Sequence, residues 1–327
     1  MQELHIGEND AGQRFDKYLK KLLAEAPGSF VYKMLRKKNI TLNGKKADGT
    51  EKLSCGDEVK LFLSDETYEK FRSKSKTVMP EALSGSEKTL RQLKVLYEDA
   101  DILIINKPSG MLSQKARPED VSANEYILNY LLKEGALTEE EMRTFRPSVC
   151  NRLDRNTSGI LIAGKTLKGL QEMSKALKER TIQKYYRCVV KGEVLKEDYL
   201  KGWLVKDERE NKVIVSTVKP KTADAAPIET AYRPIWTGGG YTGLEVHLIT
   251  GRSHQIRAHL ASIGHPIIGD VKYGDAGTNE QFRRQCKVKS QMLHAYRIVF
   301  ADGREVIAPC GAEFARVEEW CKRKHKG

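Results

Sequence analysis

Residues 150–163 read CNRLDRNTSGILIA, and this stretch determines how the rest of the chain is interpreted. Asp154 stands between Arg152 and Arg155, among residues that favour turns, and an apolar run typical of a strand follows. A neighbouring positive charge stabilises the ionised form of a carboxylate. The stretch therefore predicts a charged Asp154 presented by a turn, and it leaves open whether this group is a nucleophile, a base or an ion-pair partner.

Two other interpretations of the stretch are a surface loop with an Arg–Asp salt bridge and a phosphatase-type signature. In that signature two aspartates, two residues apart, precede a threonine. Here Asn156 and Ser158 occupy the second and third of those positions, and the apolar run follows the aspartate instead of preceding it. The order of the residues disfavours the phosphatase interpretation.

Two further blocks of sequence lie at informative distances from Asp154. Residues 95–111 read VLYEDADILIINKPSGM, and residues 248–270 read LITGRSHQIRAHLASIGHPIIGD. Together with RLDRNTSG, these blocks resemble the RluA family of RNA pseudouridine synthases, and the resemblance covers the chain from about residue 90 to its end. One departure is Asn151, where the family often has His.

The resemblance implies catalytic roles for three residues. Asp154 corresponds to the essential carboxylate, which either attacks covalently or abstracts a sugar proton. Arg252 is expected to pair with Asp154 and hold it ionised and oriented. Tyr186, six residues before Gly192, corresponds to the tyrosine beneath the target uracil; a phenol with a pKa near 10 is a poor base unless its surroundings change it.

The resemblance also implies contacts with RNA. Arg152 is expected to fill the gap that remains when the target uridine flips out of its stack. Lys107 and the helix that begins near Ser253, with His254, are expected to contact RNA or to support the site.

The same chemistry predicts that the protein uses no cofactor and no metal, because pseudouridylation exchanges only the C5 proton with solvent. The glycine triplet at residues 238–240 lacks the ending of a phosphate-binding loop. His254 and His259 are five residues apart, which is poor spacing for one helix face, and no Glu base stands between them.

The charge of the chain indicates a polyanionic partner. The 327 residues carry a formal net charge of +13, whereas 39% hydrophobic and 31% charged residues are ordinary for a globular protein.

Apolar runs such as residues 102–105 are too short to span a bilayer, and the first residues do not resemble a signal peptide. The six cysteines are scattered without a Cys-x-x-Cys pair, so we expect reduced thiols in a cytoplasmic protein that has no membrane partner.

The sequence of residues 1–63 predicts a small basic module. It contains two amphipathic helices, a strand that enters an Asn-Gly turn, and a final strand in which polar and apolar residues alternate. The module resembles the RNA-binding domain named after ribosomal small-subunit protein four, through RFD at residues 14–16, LNGK at residues 42–45 and GD at residues 56–57. Such domains recognise folded RNA by shape and backbone. Six basic residues without an acidic neighbour are the expected RNA contacts: Lys33, Arg36, Lys37, Lys38, Lys45 and Lys46.

We therefore expect three segments in an α+β protein. Residues 1–63 form the small α/β RNA-binding domain, residues 64–90 form a polar linker, and residues 91–327 form a catalytic domain with a mixed, largely antiparallel sheet. Helices are predicted at residues 123–132 and 166–180, and a strand at residues 184–192. We expect a monomer.

The first domain favours large-subunit ribosomal RNA over transfer RNA as the substrate, by analogy with the family. Two alternatives stay open: a transfer-RNA pseudouridine synthase, and a non-catalytic RNA-binding or ribosome-assembly protein that retains the fold.

Overall fold

The computed structural model describes residues 1–72, 94–139, 141–207, 210 and 212–324. Most of the predicted linker, residues 73–90, lies outside the described residues, as does the end of the basic C-terminal tail. Among the described helices, none is long and apolar enough to cross a membrane.

The first part of the chain builds a four-stranded antiparallel sheet in the order β1-β4-β2-β3, with helices packed on it. Phe15, Leu19 and Leu22 are buried along one face of the first helix, as their spacing predicts. The elements are β1 Gln2–His5, α1 Phe15–Leu22, α2 Gly28–Arg36, β2 Ile40–Leu42, β3 Lys45–Lys46, β4 Glu58–Leu61 and α3 Asp65–Phe71.

The Asn-Gly turn between β2 and β3 is confirmed. Asn43 and Gly44 both have positive φ, 50° and 70°, which a two-residue hairpin turn of this type requires. Asn43 also accepts the backbone N–H of Glu58 at 2.8 Å and donates to the Asp57 carboxylate at 2.8 Å. The turn is thereby fixed to the start of β4.

The RFD motif has a structural function in this unit. The buried Asp16 carboxylate accepts a hydrogen bond from Arg14 at 3.0 Å and from the Tyr32 hydroxyl at 2.9 Å. These bonds outweigh the effect of burial and hold the pKa of Asp16 below its usual value. A charged Asp16 therefore joins α1 to α2.

The first hydrophobic core extends beyond the predicted end of the module at residue 63. Ser64 caps α3 by accepting the backbone N–H of Thr67, and Tyr68 packs into the core with Leu63. The start of the predicted linker is thus helical, because Tyr68 and Phe71 are apolar at helical spacing, and the unit reaches at least residue 71.

The second part of the chain is built on one large mixed sheet of eleven strands. Its strands are β5 Lys94–Glu98, β6 Ile102–Lys107, β7 Ser148–Val149, β8 Ser158–Gly164, β9 Gln183–Lys191, β10 Asp198–Asp207, β11 Lys212–Ser216, β12 Ala226–Gly238, β13 Tyr241–Leu248, β14 Leu293–Val299 and β15 Glu305–Ile307. Its helices are α4 Ala123–Lys133, α5 Leu167–Glu179, α6 Gln255–Ser262, α7 Ala276–Cys286 and α8 Ala312–Lys324, with a 3₁₀ turn at Glu141–Arg143.

The main path of this sheet runs β11-β10-β12-β13-β9-β14-β8-β6-β5, with β15 beside β14 and β7 beside β8. Among the pairings between these described strands, only β8–β14 is parallel. This agrees with the predicted α+β class and largely antiparallel sheet. The predicted helices at residues 123–132 and 166–180 match α4 and α5 within two residues, and the strand at residues 184–192 matches β9.

The pairing of β8 with β14 explains one glycine of the RLDRNTSG motif. Gly159 has φ 112°, and a Cβ atom there would lie 2.2 Å from the Ala295 carbonyl oxygen. Only glycine allows the two backbones to approach this closely at the point where the chain leaves the Asp154 loop.

Candidate active site

Asp154 lies on a tight loop between β7 and β8. The two strands are antiparallel neighbours, and the Thr157 N–H donates to the Asp154 carbonyl at 3.0 Å. Asn151 bridges the loop, since its side chain donates to the Ile160 carbonyl at 3.3 Å and accepts the Ile162 N–H at 2.8 Å. Asn151 therefore fixes the start of the loop to the backbone of β8 by these two hydrogen bonds.

The KPSGM block at residues 107–111 holds the Asp154 loop from the other side. The Gly110 N–H donates to the Arg155 carbonyl at 2.9 Å, and the Ser109 hydroxyl donates to the Asn156 carbonyl at 2.9 Å. Slightly further on, the Ser113 hydroxyl both accepts the Leu153 N–H and donates to the Leu153 carbonyl, at 2.9 Å each. The loop is thus fixed on both sides of Asp154.

Lys107 is part of this support, so of the two roles expected from the sequence the structure favours the supporting role over the RNA contact. Its side chain is fully buried, and its ammonium donates to the carbonyls of Pro108, Met111 and Arg155 at 3.0, 2.7 and 3.1 Å. Burial lowers the pKa of Lys107 to about 7, and the charge of Asp154 acts in the opposite direction. Three carbonyl acceptors match the three donors of an ammonium and favour the charged form.

Replacing Lys107 with Met should therefore affect the loop first. Three buried carbonyls lose their donor, so we expect the free energy of unfolding to fall by about 2 kcal/mol or more. The Asp154 loop should become mobile, and activity per folded molecule should fall. Denaturant unfolding and activity at saturating RNA check this; unchanged stability would contradict the supporting role of Lys107.

Asp154 is paired with Arg257, and this corrects the predicted pairing with Arg252. The Arg257 Nη1 donates to Asp154 Oδ2 at 2.8 Å, with 5% of the arginine side chain and 25% of the aspartate side chain exposed. Arg252 lies in the turn before α6 with an exposed side chain, and it makes no ion pair within the part of the chain that the structure describes. The HQIR segment of the motif therefore supplies the partner of Asp154, in the first turn of the helix.

A second carboxylate, Asp270, holds Arg257 in place. It accepts Arg257 Nε at 2.6 Å and Nη2 at 2.8 Å, a two-point contact that fixes the plane of the guanidinium. Asp270 is fully buried and also accepts the backbone N–H groups of Lys272 and Tyr273. The order Asp270–Arg257–Asp154 thus runs from the core to the surface of the site.

The glycine before Asp270 is required by the backbone. Gly269 has φ 78°, and a Cβ atom there would lie 2.2 Å from the Ser290 carbonyl oxygen. Its N–H donates to Asn279 Oδ1 at 2.7 Å, and Asn279 donates to the Asp270 carbonyl at 2.9 Å. The GD pair at the end of the third sequence block therefore turns Asp270 towards Arg257.

The ionisation of this network follows from its contacts. Burial alone acts to lower the pKa of Arg257, but hydrogen bonds with Asp270 and the charges of both aspartates raise it above the usual arginine value. Burial alone acts to raise the pKa of Asp270, but the hydrogen bonds and charge of Arg257 hold it below its usual value. Arg257 and Asp270 are therefore both charged at neutral pH.

Tyr186 stands on β9 and is buried, with 7% of its surface exposed. Burial and, secondarily, the negative charge of Asp154 raise the pKa of Tyr186 well above 10. The phenol is therefore protonated at neutral pH. Lys184, two residues earlier on the strand, lies on the same strand face as Tyr186; burial and, next, the charge of Arg180 lower its pKa.

His254 and Arg152 are on the rim. His254 adopts φ 56° just before α6, and its Nδ1 pairs with the Tyr273 hydroxyl at 2.9 Å. Burial lowers the pKa of His254, although the charge of Asp154 acts to raise it, so the ring is mostly neutral at pH 7. The Arg152 side chain is exposed beside the Asp154 loop.

The six basic residues predicted to bind RNA are all exposed on α2, on the turn after it and on β3. None of Lys33, Arg36, Lys37, Lys38, Lys45 and Lys46 forms an ion pair with a described residue. Their charges are available to a polyanion.

Within the described ranges, no group of three or more His, Cys, Asp or Glu side chains is arranged to hold a metal ion. His259 instead pairs with the Thr230 hydroxyl at 3.1 Å.

Comparison with known proteins identifies the same part of the chain. The sequence profile described as RNA pseudouridylate synthase matches residues 101–262, which include Asp154, Tyr186 and Arg257. A protein of Vibrio vulnificus named ribosomal large subunit pseudouridine synthase C is 31% identical over 328 residues, covering 97% of this chain and 95% of that protein. The protein of the same name from Pasteurella multocida is 32% identical over 308 residues, covering 91% and 85%.

Two solved structures share the fold at 20% sequence identity. Human RNA Pseudouridylate Synthase Domain Containing 4 aligns with a TM-score of 0.56 over 70% of this chain and 92% of that chain. Human RNA Pseudouridylate Synthase Domain Containing 1 aligns with a TM-score of 0.54 over 69% and 86%.

Proposed function

Because the chain belongs to the RNA pseudouridylate synthase family, we propose that it isomerises uridines of large-subunit ribosomal RNA with Asp154 as the essential carboxylate. The observation that carries the catalytic assignment is the Asp270–Arg257–Asp154 arrangement. A charged, buried arginine, fixed from behind by Asp270, orients a single partly exposed carboxylate towards solvent. The ribosomal substrate is supported by the names of the relatives, which cover more than nine tenths of this chain.

The proposed reaction breaks the N1–C1′ bond of uridine, turns the uracil and joins C5 to C1′; the C5 proton leaves to solvent and N1 takes up a proton in its place. Asp154 either attacks the nucleoside or abstracts a sugar proton, and in both routes it must be ionised and fixed in direction, which Arg257 provides. Tyr186 supplies a buried aromatic ring against which the uracil stacks. Arg152 fills the vacated stack after the uridine flips.

The state of Tyr186 leads to a pH prediction. Because its pKa is raised above 10, the phenolate form is rare between pH 7 and 9, and the fraction of that form increases about tenfold per pH unit. We expect the single-turnover rate to stay flat across this range, since the neutral ring acts by stacking. A rate that rises about tenfold per unit, and does so only when Tyr186 has not been replaced by Phe, would instead identify the phenolate as the base that removes the C5 proton.

We also propose that the first unit, residues 1–71, is an RNA-binding domain. It has its own sheet and core, and it presents the six exposed basic residues. A polar tract separates it from the catalytic domain. The protein is proposed to act as a monomer in the cytoplasm, where its ribosomal substrate is found.

The double variant Lys45→Gln, Lys46→Gln tests this domain. Each lost phosphate contact should lower the slope of log affinity against log salt by about 0.7 to 0.9, so we expect a slope smaller by about 1.5 and weaker binding at low salt. Lys175→Gln, Lys178→Gln on α5 is the matched control, because both lysines are exposed and the change in net charge is the same. Equal slopes for the two double variants would contradict a specific role for the first domain.

A non-catalytic RNA-binding protein would need the basic surface but not the Arg257-held carboxylate. Release of tritium from uridine labelled at C5 distinguishes the two functions, because only the isomerisation removes that hydrogen. Tight binding of ribosomal RNA without tritium release would favour the non-catalytic function.

A further inference from the structure

Side chains alternate between the two faces of β9, so Tyr185 lies on the sheet face opposite Tyr186. On that opposite face, the registers of five neighbouring strands align one residue from each into a row. The row runs Arg297, Tyr185, His247, Ala231 and Tyr199, on β14, β9, β13, β12 and β10 respectively. All five line one cleft of about 640 Å³.

One half of the row is already stacked. His247 lies on Tyr185 with ring centroids 4.7 Å apart and planes 19° apart, and the Arg297 guanidinium lies 4.1 Å from the Tyr185 ring centroid. Burial and, next, the positive charges of Lys184 and Arg297 lower the pKa of His247, so its ring is neutral at pH 7. The outer face of this neutral ring points along the row towards Ala231.

The other half of the row contains a gap. Ala231 has the only small side chain of the five, and it separates His247 from Tyr199 by two strand spacings, roughly 10 Å. A planar ring placed above Ala231 would have its centroid about 5 Å from each neighbour, which is a favourable stacking distance. Tyr199 is fixed as the far wall by the hydrogen bond that its hydroxyl donates to Glu229.

The charges around this gap are unequal on its two sides. Towards β9 and β14 lie Arg297, which pairs with Glu305 at 3.0 Å, and Arg187. Glu245 also lines the cleft and pairs with Arg187 at 3.5 Å and with the Nε of the largely exposed Arg233 at 2.6 Å, so three arginines face two carboxylates on this side. A guanidinium has further N–H groups that can reach a phosphate. On the β10 side the exposed Glu197 and Asp198 line the cleft. Asp198 Oδ1 accepts the Tyr199 backbone N–H at 2.7 Å, which leaves Glu197 as the acceptor for a ligand, and Lys201 Nζ lies 5.4 Å from the Tyr199 ring centroid.

We propose that the gap between His247 and Tyr199 receives an unpaired base of the RNA substrate. Its backbone would lie towards the arginines, and its exocyclic amino group would lie towards Glu197. The site therefore favours adenine, cytosine or guanine over uracil, unlike the catalytic site on the other face. This inference rests on the proposed RNA substrate, and the net charge of +13 supports a polynucleotide over a free nucleotide.

The test uses a single-stranded RNA decamer of uridines with one central 2-aminopurine, whose fluorescence falls when it stacks. Ala231→Phe fills the gap, and Tyr199→Ser removes the far wall from an exposed position without filling the core. Ile235→Phe is the matched control, because Ile235 is exposed on the same strand. Thermal unfolding of each variant identifies any that fail to fold.

We expect wild type and Ile235→Phe to quench the probe, and Ala231→Phe and Tyr199→Ser to bind it about tenfold more weakly. Single-turnover tritium release from ribosomal RNA at saturating concentration should be unchanged in both variants, since neither residue touches the catalytic loop.

Equal quenching and affinity in folded Tyr199→Ser and in wild type would overturn the inference. Competition by AMP as effective as competition by unlabelled RNA at equal base concentration would also overturn it, in favour of a free-nucleotide site. Wild-type protein that quenches the probe through Ala231 and Tyr199 but releases no tritium from any RNA would refute the proposed function and leave the base site standing.

Discussion

Replacing Asp154 with Asn should lower the single-turnover rate of pseudouridine formation by about 10⁴-fold or more while leaving RNA affinity nearly unchanged. The amide has the shape of the carboxylate but is neither a nucleophile nor a base. Arg257 keeps its two contacts with Asp270, so no buried charge becomes unpaired and the fold should persist. Rates are measured with excess enzyme on labelled RNA, and affinity is measured by gel shift with the same RNA.

Thermal unfolding supplies the control for this variant, which should unfold within a few degrees of wild type. Affinity that falls together with the rate would mean that Asp154 binds RNA and does not act on it. A rate within tenfold of wild type would remove Asp154 from the catalytic role.

Replacing Arg257 with Met should damage both activity and stability. The buried Asp270 loses its partner, and breaking a buried ion pair by removing one member costs about 3–5 kcal/mol. Asp154 loses the group that directs it, and misplacement of a reacting group by about 1 Å can lower a rate on the order of 10²-fold. Denaturant unfolding and single-turnover kinetics check the two effects separately.

Arg252→Met is the matched control, because it removes the same charge from an exposed side chain five residues before Arg257 and outside the helix. Its free energy of unfolding should change by no more than about 0.5 kcal/mol. If Arg252→Met reduced stability and rate as much as Arg257→Met, the pairing described for Asp154 would be wrong.

The Arg257→Met substitution should also change how the free energy of unfolding depends on pH. In the wild type the pKa of Asp270 is lowered in the folded state, so its contribution is complete above its unfolded pKa of about 4 and is lost as the pH falls through the folded value. Without Arg257, burial raises the pKa of Asp270, so the folded variant binds the proton first. We expect acidification from pH 7 to pH 5 to stabilise the variant relative to wild type.

The sequence was sufficient to predict the α+β class and the position of Asp154 on a turn. Periodicity placed α4 and α5 because their apolar residues recur at helical spacing, and Asn43-Gly44 placed a hairpin because both residues tolerate positive φ. These features depend on neighbours in the chain. Local chemistry is therefore enough to predict them.

The partner of Asp154 depends on contacts between distant segments, and that is where the prediction was wrong. Arg252 and Arg257 belong to the same block, and a motif does not show which of them faces the loop 98 or more residues earlier. The burial of Asp270 determines which arginine faces inward. A buried carboxylate requires a buried cation, and Arg257 is on the inner face of α6. The sequence left two roles open for Lys107 for a similar reason, since only the fold shows that three carbonyls surround its ammonium.

The central claim is tested most directly by tritium release from unmodified large-subunit ribosomal RNA carrying uridine labelled at C5. We predict that the wild-type protein releases tritium in amounts that correspond to one or a few uridines per RNA, and that Asp154→Asn releases none. Absence of release by folded wild-type protein from this RNA would contradict the proposed substrate, and absence from transfer RNA as well would contradict the proposed activity.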